Sequence, residues 1–180
     1  MNLPPYHIKF SNETELIANL EDALKFIELA KNNHRYWKWI VYALFSAVQA
    51  AMIMVRGEAA VELKPNLTDR RVKPFKQLYE ELAIPANWEG LGLKDLPSSS
   101  RWDYGITILK NARDDIEHPK YDGTVYPCLT LKNSCMTVLA HLQHLVDTSP
   151  RLQERVGKDI AQIRVKLLEV KTQIQAMPVS

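Results

Sequence analysis

YWKWIVYALFSAVQAAMIMV, Tyr36 to Val55, is the stretch on which the fold turns. Only Lys38 and Gln49 interrupt its apolar run, and it has the length of a membrane-spanning helix. A helix apolar on every side is equally what the centre of a helical bundle requires, because neighbours cover all its faces. Amphipathic segments lie on both sides of this one. The reading is therefore a central bundle helix, with a lipid-facing helix as the alternative.

On its N-terminal side, Asn12 and Glu15 have capping-box spacing, followed by Leu16, Leu20, Leu24 and Ile27 with Ile17 and Ala23 beside them. This predicts a first amphipathic helix over about 13–31. Asn32 or Asn33 can cap the central helix, which runs to Arg56, with Gly57 as its stop. Residues 57–68 read as a loop, and no strand pattern competes with the helices. A third helix fits Lys73 to Ala83, with Pro74 in its first turn. The segment 84–100, rich in Pro, Gly and Ser, is a long loop. Ser100 and Asp103 open a fourth helix that Pro119 ends, since proline disfavours helical geometry in the residue before it.

A fifth helix starts at Pro127 and continues to about Val146. Ser149 and Pro150 occupy the cap and first position of a sixth. In that last helix Val156, Ile160, Ile163, Leu167, Val170, Ile174 and Met177 alternate four and three apart, a heptad seam. It suits packing on the chain's own bundle and pairing with a second subunit alike. The expectation is an all-α bundle of about five to six helices with a long C-terminal helix. It forms one domain over 1–180, its core at about 13–147 and its amphipathic terminal helix at about 150–177.

The chain has 180 residues, 46% hydrophobic and 24% charged, with a net charge of +2. That length suits one domain with a substantial core. No overall field commits it to nucleic acid or to an anionic membrane, so such binding would need a local patch. Two cysteines, Cys128 and Cys135, are too few for a disulfide scaffold. The opening MNLPPYHIKF lacks the charged start and apolar run of a secretion signal. The expectation is a reducing, cytoplasmic setting, with no membrane as partner.

ARDDIEHP, residues 112–119, carries the most suggestive chemistry. A histidine at a helix C-terminus, His118, sits where the dipole favours imidazolium, and it exchanges protons near neutrality. Arg113 offers a planar fork for phosphate oxygens. A proton-transfer group plus a phosphate clamp is the minimum kit for metal-free RNA cleavage, in which the ribose 2′-hydroxyl attacks the adjacent phosphate. Residues five apart on a helix point about 140° away from each other, so the pair converges only with help from fraying or a second subunit. Asp114, four before His118, shares its face and can orient the ring. Against all this, Arg113 and Glu117 have the spacing of an ordinary surface ion pair.

An arginine, a polar residue and a histidine closing a helix in a small all-α chain resemble the HEPN superfamily, whose motif is Arg-x4–6-His. RDDIEH provides Arg113, Asp114 in the polar slot and His118 at the shortest spacing, and RYWKWIVYALFSAVQAAMIM is similar to the second helix of bacterial members. The resemblance spans roughly 13–147. It implies a homodimer that brings two Arg–His pairs together. It also implies a metal-independent endoribonuclease leaving a 2′,3′-cyclic phosphate, toxin- or defence-like, with RNA as substrate and a cognate antitoxin or neighbouring protein as partner. No cofactor is expected. The polar slot is often asparagine, and Asp114 sets a negative charge where RNA phosphate would approach. Several HEPN proteins are non-catalytic, so a helical dimerisation module that binds a nucleotide or protein partner is the other reading.

Three further features stand beside the motif. Arg70, Arg71, Lys73 and Lys76 are the densest basic run, a candidate RNA-tracking surface with Phe75 near it for stacking, or simply a solvated helix start. His141, His144 and Asp147 recur every three residues, a spacing open to a metal, although polar-face histidines are commoner. Cys128 and Cys135 share a helix face and read as structural thiols. Trp88 and Trp102 flank the long loop as core anchors or groove walls.

Overall fold

The computed structural model describes residues 11–63, 70–84, 87, 91, 100–118 and 123–178. It is an all-α bundle. Helix α1 (Asn12–Ala30) is capped one residue earlier than the spacing suggested. The Ser11 hydroxyl accepts from the Thr14 amide, and the Thr14 hydroxyl accepts from the Ser11 amide. A second hydroxyl three residues on closes the box, so Asn12 falls inside the helix rather than at its cap. Leu16, Leu20, Ala23, Ile27 and Ala30 form its buried stripe.

The Asn33 side chain accepts from the Arg35 amide at 3.0 Å and starts a 3-10 turn, His34–Tyr36, that leads into α2 (Trp37–Arg56). Thirteen of the twenty residues of α2 are buried. Among the described residues, the span His34–Ala60 alone is long and apolar enough to cross a membrane. The neighbours α1, α3 (Phe75–Ala83), α4 (Ser100–Glu117), α5 (Cys128–Thr148) and α6 (Pro150–Val156) all pack on it, which is why it needs no polar face.

Gly57 ends α2 at φ +57°, a conformation glycine adopts without penalty. Here the expected loop gives way to structure. A 3-10 turn, Gly57–Ala60, feeds β1 (Val61–Leu63), which pairs antiparallel with β2 (Arg70–Val72) in the register Val61↔Val72, Glu62↔Arg71 and Leu63↔Arg70. Three-residue strands are too short for alternation to show in a sequence. The Lys73 amide donates to the Ala60 carbonyl at 2.8 Å and ties the hairpin to the end of α2.

Helix α3 begins at Phe75, with Pro74 as its cap rather than inside its first turn. Phe75 stacks on Phe45 of α2 with centroids 4.2 Å apart, so its ring serves the core and is not available to a base. Ser100 lies within α4, and the cap of that helix falls outside the described residues, as do Pro119, Trp88, the side chain of Trp102 and most of the long loop. Ser149 caps α6 through its hydroxyl, which accepts from the Leu152 amide, and Pro150 opens the helix as expected.

The terminal helix is interrupted. Gly157, at φ +52°, separates α6 from α7 (Ile160–Ala176) by a 3-10 turn over Gly157–Asp159. The heptad seam nevertheless survives. Val156, Ile163, Leu167, Val170, Ile174 and Met177 are buried, and α7 packs on α1 and α5 of its own chain. Lys132 of α5 completes the contact by donating to the Gln175 carbonyl in the last turn of α7 and to the Met177 carbonyl just past its end, at 2.8 Å each.

Candidate functional site around ARDDIEHP

Arg113 and His118 part company on α4. Arg113 Nη1 is 2.6 Å from Glu117 Oε2 and 3.2 Å from Asp114 Oδ1, and its guanidinium carbon lies 5.0 Å from the Phe45 ring centre. The fork is thus shared between two carboxylates and an aromatic ring of the central helix. His118 is exposed past the end of α4, and its amide donates to the Asp114 carbonyl at 2.8 Å. It lines an open depression of about 590 Å³ with Asn111, Asp114, Asp115, Thr124 and Tyr126, and Arg113 is not among those residues.

Asp114 was expected to orient the His118 ring. Its carboxylate is instead taken by Lys110 at 2.5 Å and by Arg113. Burial alone would raise its pKa, but the hydrogen bonds and charges of Lys110 and Arg113 outweigh burial and hold it below the usual range. On the far side of the depression the Tyr126 hydroxyl donates to Asp115 at 2.6 Å. Burial, then that hydrogen bond and the nearby carboxylates, push the Tyr126 phenol up to about 12. Besides His118, the depression is lined by two acids and by the uncharged side chains of Asn111, Thr124 and Tyr126, a poor match to phosphate.

The basic run is divided. Lys73 turns inward, its ammonium 2.7 Å from Glu81, whose other oxygen takes Arg56 at 2.6 Å. Lys76 remains exposed with Glu80 at 3.5 Å, and Arg71 is exposed opposite Glu62 in the hairpin. The side chain of Arg70 lies outside the described residues.

His141 corrects another expectation. It is 1% exposed, not on a polar face, and its ring lies 5.5 Å from that of Tyr79. No group of three or more metal-ligating residues occurs among the described residues. The sequence did hold a signal, since Ser134, Val138, His141 and Leu145 continue the core spacing of α5. Tyr79 went unnoticed altogether. Its hydroxyl donates to Asp103 at 2.7 Å across a 530 Å³ cleft between α3 and α4. Burial and Asp103 both raise its pKa. Cys135 is fully buried, and burial pushes its thiol up to about 12, as an inert core thiol requires.

Compared with family models, curated proteins and solved structures, the chain matches none.

Proposed function

We propose that this chain is a non-catalytic, HEPN-like helical module that acts by self-association and by holding a protein partner. The observation that supports this reading is the engagement of Arg113. A phosphate clamp must offer its fork to the ligand, whereas Glu117, Asp114 and Phe45 already occupy this one. His118 shares its depression with two carboxylates, Asp114 and Asp115, and with no lysine or arginine among the lining residues, a setting that favours RNA phosphate little.

Metal-independent RNA cleavage is the second reading, and one observation favours it. His118 is exposed at a helix end beside an open depression, where a proton-transfer group would have to stand. In that reading Arg113 leaves Glu117 to meet phosphate, and Arg71 and Lys76 supply the outer electrostatic surface.

Incubating the purified chain with structured and single-stranded RNAs in excess chelator separates the two. The module reading expects no cleavage by wild type, and none from Glu117→Gln, which removes the shorter of the two ion pairs that hold the arginine. Cleavage leaving 2′,3′-cyclic phosphate ends, and lost in His118→Ala, would overturn it.

A further inference from the structure

The buried seam of α7 leaves its opposite face in solvent, and that face carries a second seam. Ala161, Val165, Leu168, Thr172 and Gln175 are spaced 4, 3, 4, 3, the same rhythm as the inner residues but rotated to the outside. Val165 and Leu168 are each 65% exposed, the most exposed large apolar side chains on any helix described here. Nothing in the fold requires apolar groups there, because Ile163, Leu167, Val170 and Ile174 already supply the packing on α1 and α5.

The charges beside this stripe select its occupant. With Val165 as heptad position a and Leu168 as d, Arg164 takes g and Glu169 takes e. In a parallel pair of helices, a g residue meets the e residue five positions further along the partner. Arg164 of one copy then meets Glu169 of the other, and by symmetry the pair forms twice. An antiparallel pair would instead set g against g, bringing Arg164 toward Lys171 of the partner. Arg164 is half-exposed and pairs through its Nε with Asp147 of its own chain at 3.0 Å, a bond that does not use the two terminal nitrogens of the fork. A β-branched residue at a with leucine at d is also the combination that favours two strands over three or four.

We propose that the outer face of α7 is a parallel, two-fold self-association surface, with Val165 and Leu168 at its centre and reciprocal Arg164–Glu169 pairs at its flanks. This rests on the self-association reading above and assigns it to a particular face. Lys158 at the next a position, and Thr172 and Gln175 beyond Leu168, confine the apolar contact to about two turns. A strip that small implies a weak dimer, with a dissociation constant of about micromolar or higher.

Sedimentation equilibrium of the full chain over a wide concentration range tests it, with helical circular dichroism and melting temperature as folding controls. Wild type should dimerise reversibly, and Leu168→Glu should abolish this without lowering the melting temperature. Arg164→Glu and Glu169→Arg should each weaken the dimer about 10-fold or more, and their combination should restore it. Gln175→Cys should form a disulfide dimer, because parallel chains place the two 175 positions side by side. An antiparallel pair centred on Val165 and Leu168 would hold them roughly 25 Å apart, at 1.5 Å per residue. A dimer indifferent to Leu168→Glu and to the charge changes would overturn the α7 face and leave self-association standing. A chain that stays monomeric at every concentration would overturn both.

Discussion

Arg113 Nη1 and Glu117 Oε2 lie 2.6 Å apart, one helical turn from each other, with the guanidinium carbon 5.0 Å from the centre of the Phe45 ring. An arginine so held works as a strut between α4 and the central helix. Removing it tests that role directly.

Arg113→Ala loses a partly buried ion pair with Glu117 contributing about 0.5 kcal/mol and a ring contact contributing about 1 kcal/mol. Glu117→Gln loses only the first. Urea unfolding should show Arg113→Ala less stable by about 1–2 kcal/mol, and Glu117→Gln by well under half as much. Equal losses would mean that the Phe45 contact contributes nothing.

Gly105 of α4 lies against Thr137 of α5, and a Cβ added to it would fall 2.7 Å from the Thr137 Cβ. Two helices cross there with no room for a methyl group. Gly105→Ala should destabilise by about 1–3 kcal/mol despite its better helix propensity. Adding Thr137→Ala, which removes Cγ2 and Oγ1 but leaves the Cβ, should recover part of that loss. Full additivity in the double mutant would place the strain elsewhere.

Gly105 also shows where sequence reading stops. DYGITILK looks like ordinary helix, and only the approach of a second helix explains its glycine. The same holds for Phe45, which reaches Arg113 from another element and leaves no trace in the spacing of ARDDIEHP. Local signals were legible: the Gly57 stop and the Ser149–Pro150 start act within a few residues. Asn33 does cap, although it caps the 3-10 turn ahead of α2 rather than α2 itself, which starts after Tyr36 without a side-chain cap. So was the apolar run of α2, because burial on all sides removes polar residues from all sides. The Gly157 break was hidden because the seam runs through it, with Val156 buried and Ile160 partly buried on either side. The Arg113–Glu117 pair could be anticipated from spacing, but its precedence over a phosphate clamp could not.

Glu81 joins three segments. One carboxylate oxygen takes Arg56 from the end of α2, and the other takes Lys73 from beyond the hairpin and Gln77 at 3.3 Å. Burial would raise its pKa, yet the hydrogen bond from Lys73 and the charges of Arg56 and Lys73 prevail and hold it below the ordinary range. Glu81→Ala leaves two largely buried cations without their acid, and should cost about 2–4 kcal/mol in chemical unfolding. A loss below about 1 kcal/mol would mean that solvent, rather than Glu81, satisfies both.

His141 should make the fold acid-sensitive well above the carboxylate range. Burial, and secondarily the charge of nearby His144, hold its pKa down to about 3, against about 6.5 for an unfolded histidine. The sign follows from which state binds the proton. Below about pH 6.5 the unfolded chain takes up a proton that the native imidazole, packed near Tyr79, does not. The stability is therefore fully present above pH 6.5 and drains away as pH falls toward 3, by up to about 1.4 kcal/mol per pH unit. Glu13, Glu81 and Asp114 have lowered pKa values of their own, and they begin from 4.5 or 3.8, so the interval from pH 6.5 to 5 belongs mainly to histidine. Unfolding free energies of wild type and His141→Leu, measured at pH 7 and pH 5, isolate the effect. Wild type should lose about 1–2 kcal/mol more than the variant between the two conditions, whatever the substitution costs at pH 7. Parallel losses would show that the native ring accepts its proton as readily as the unfolded one.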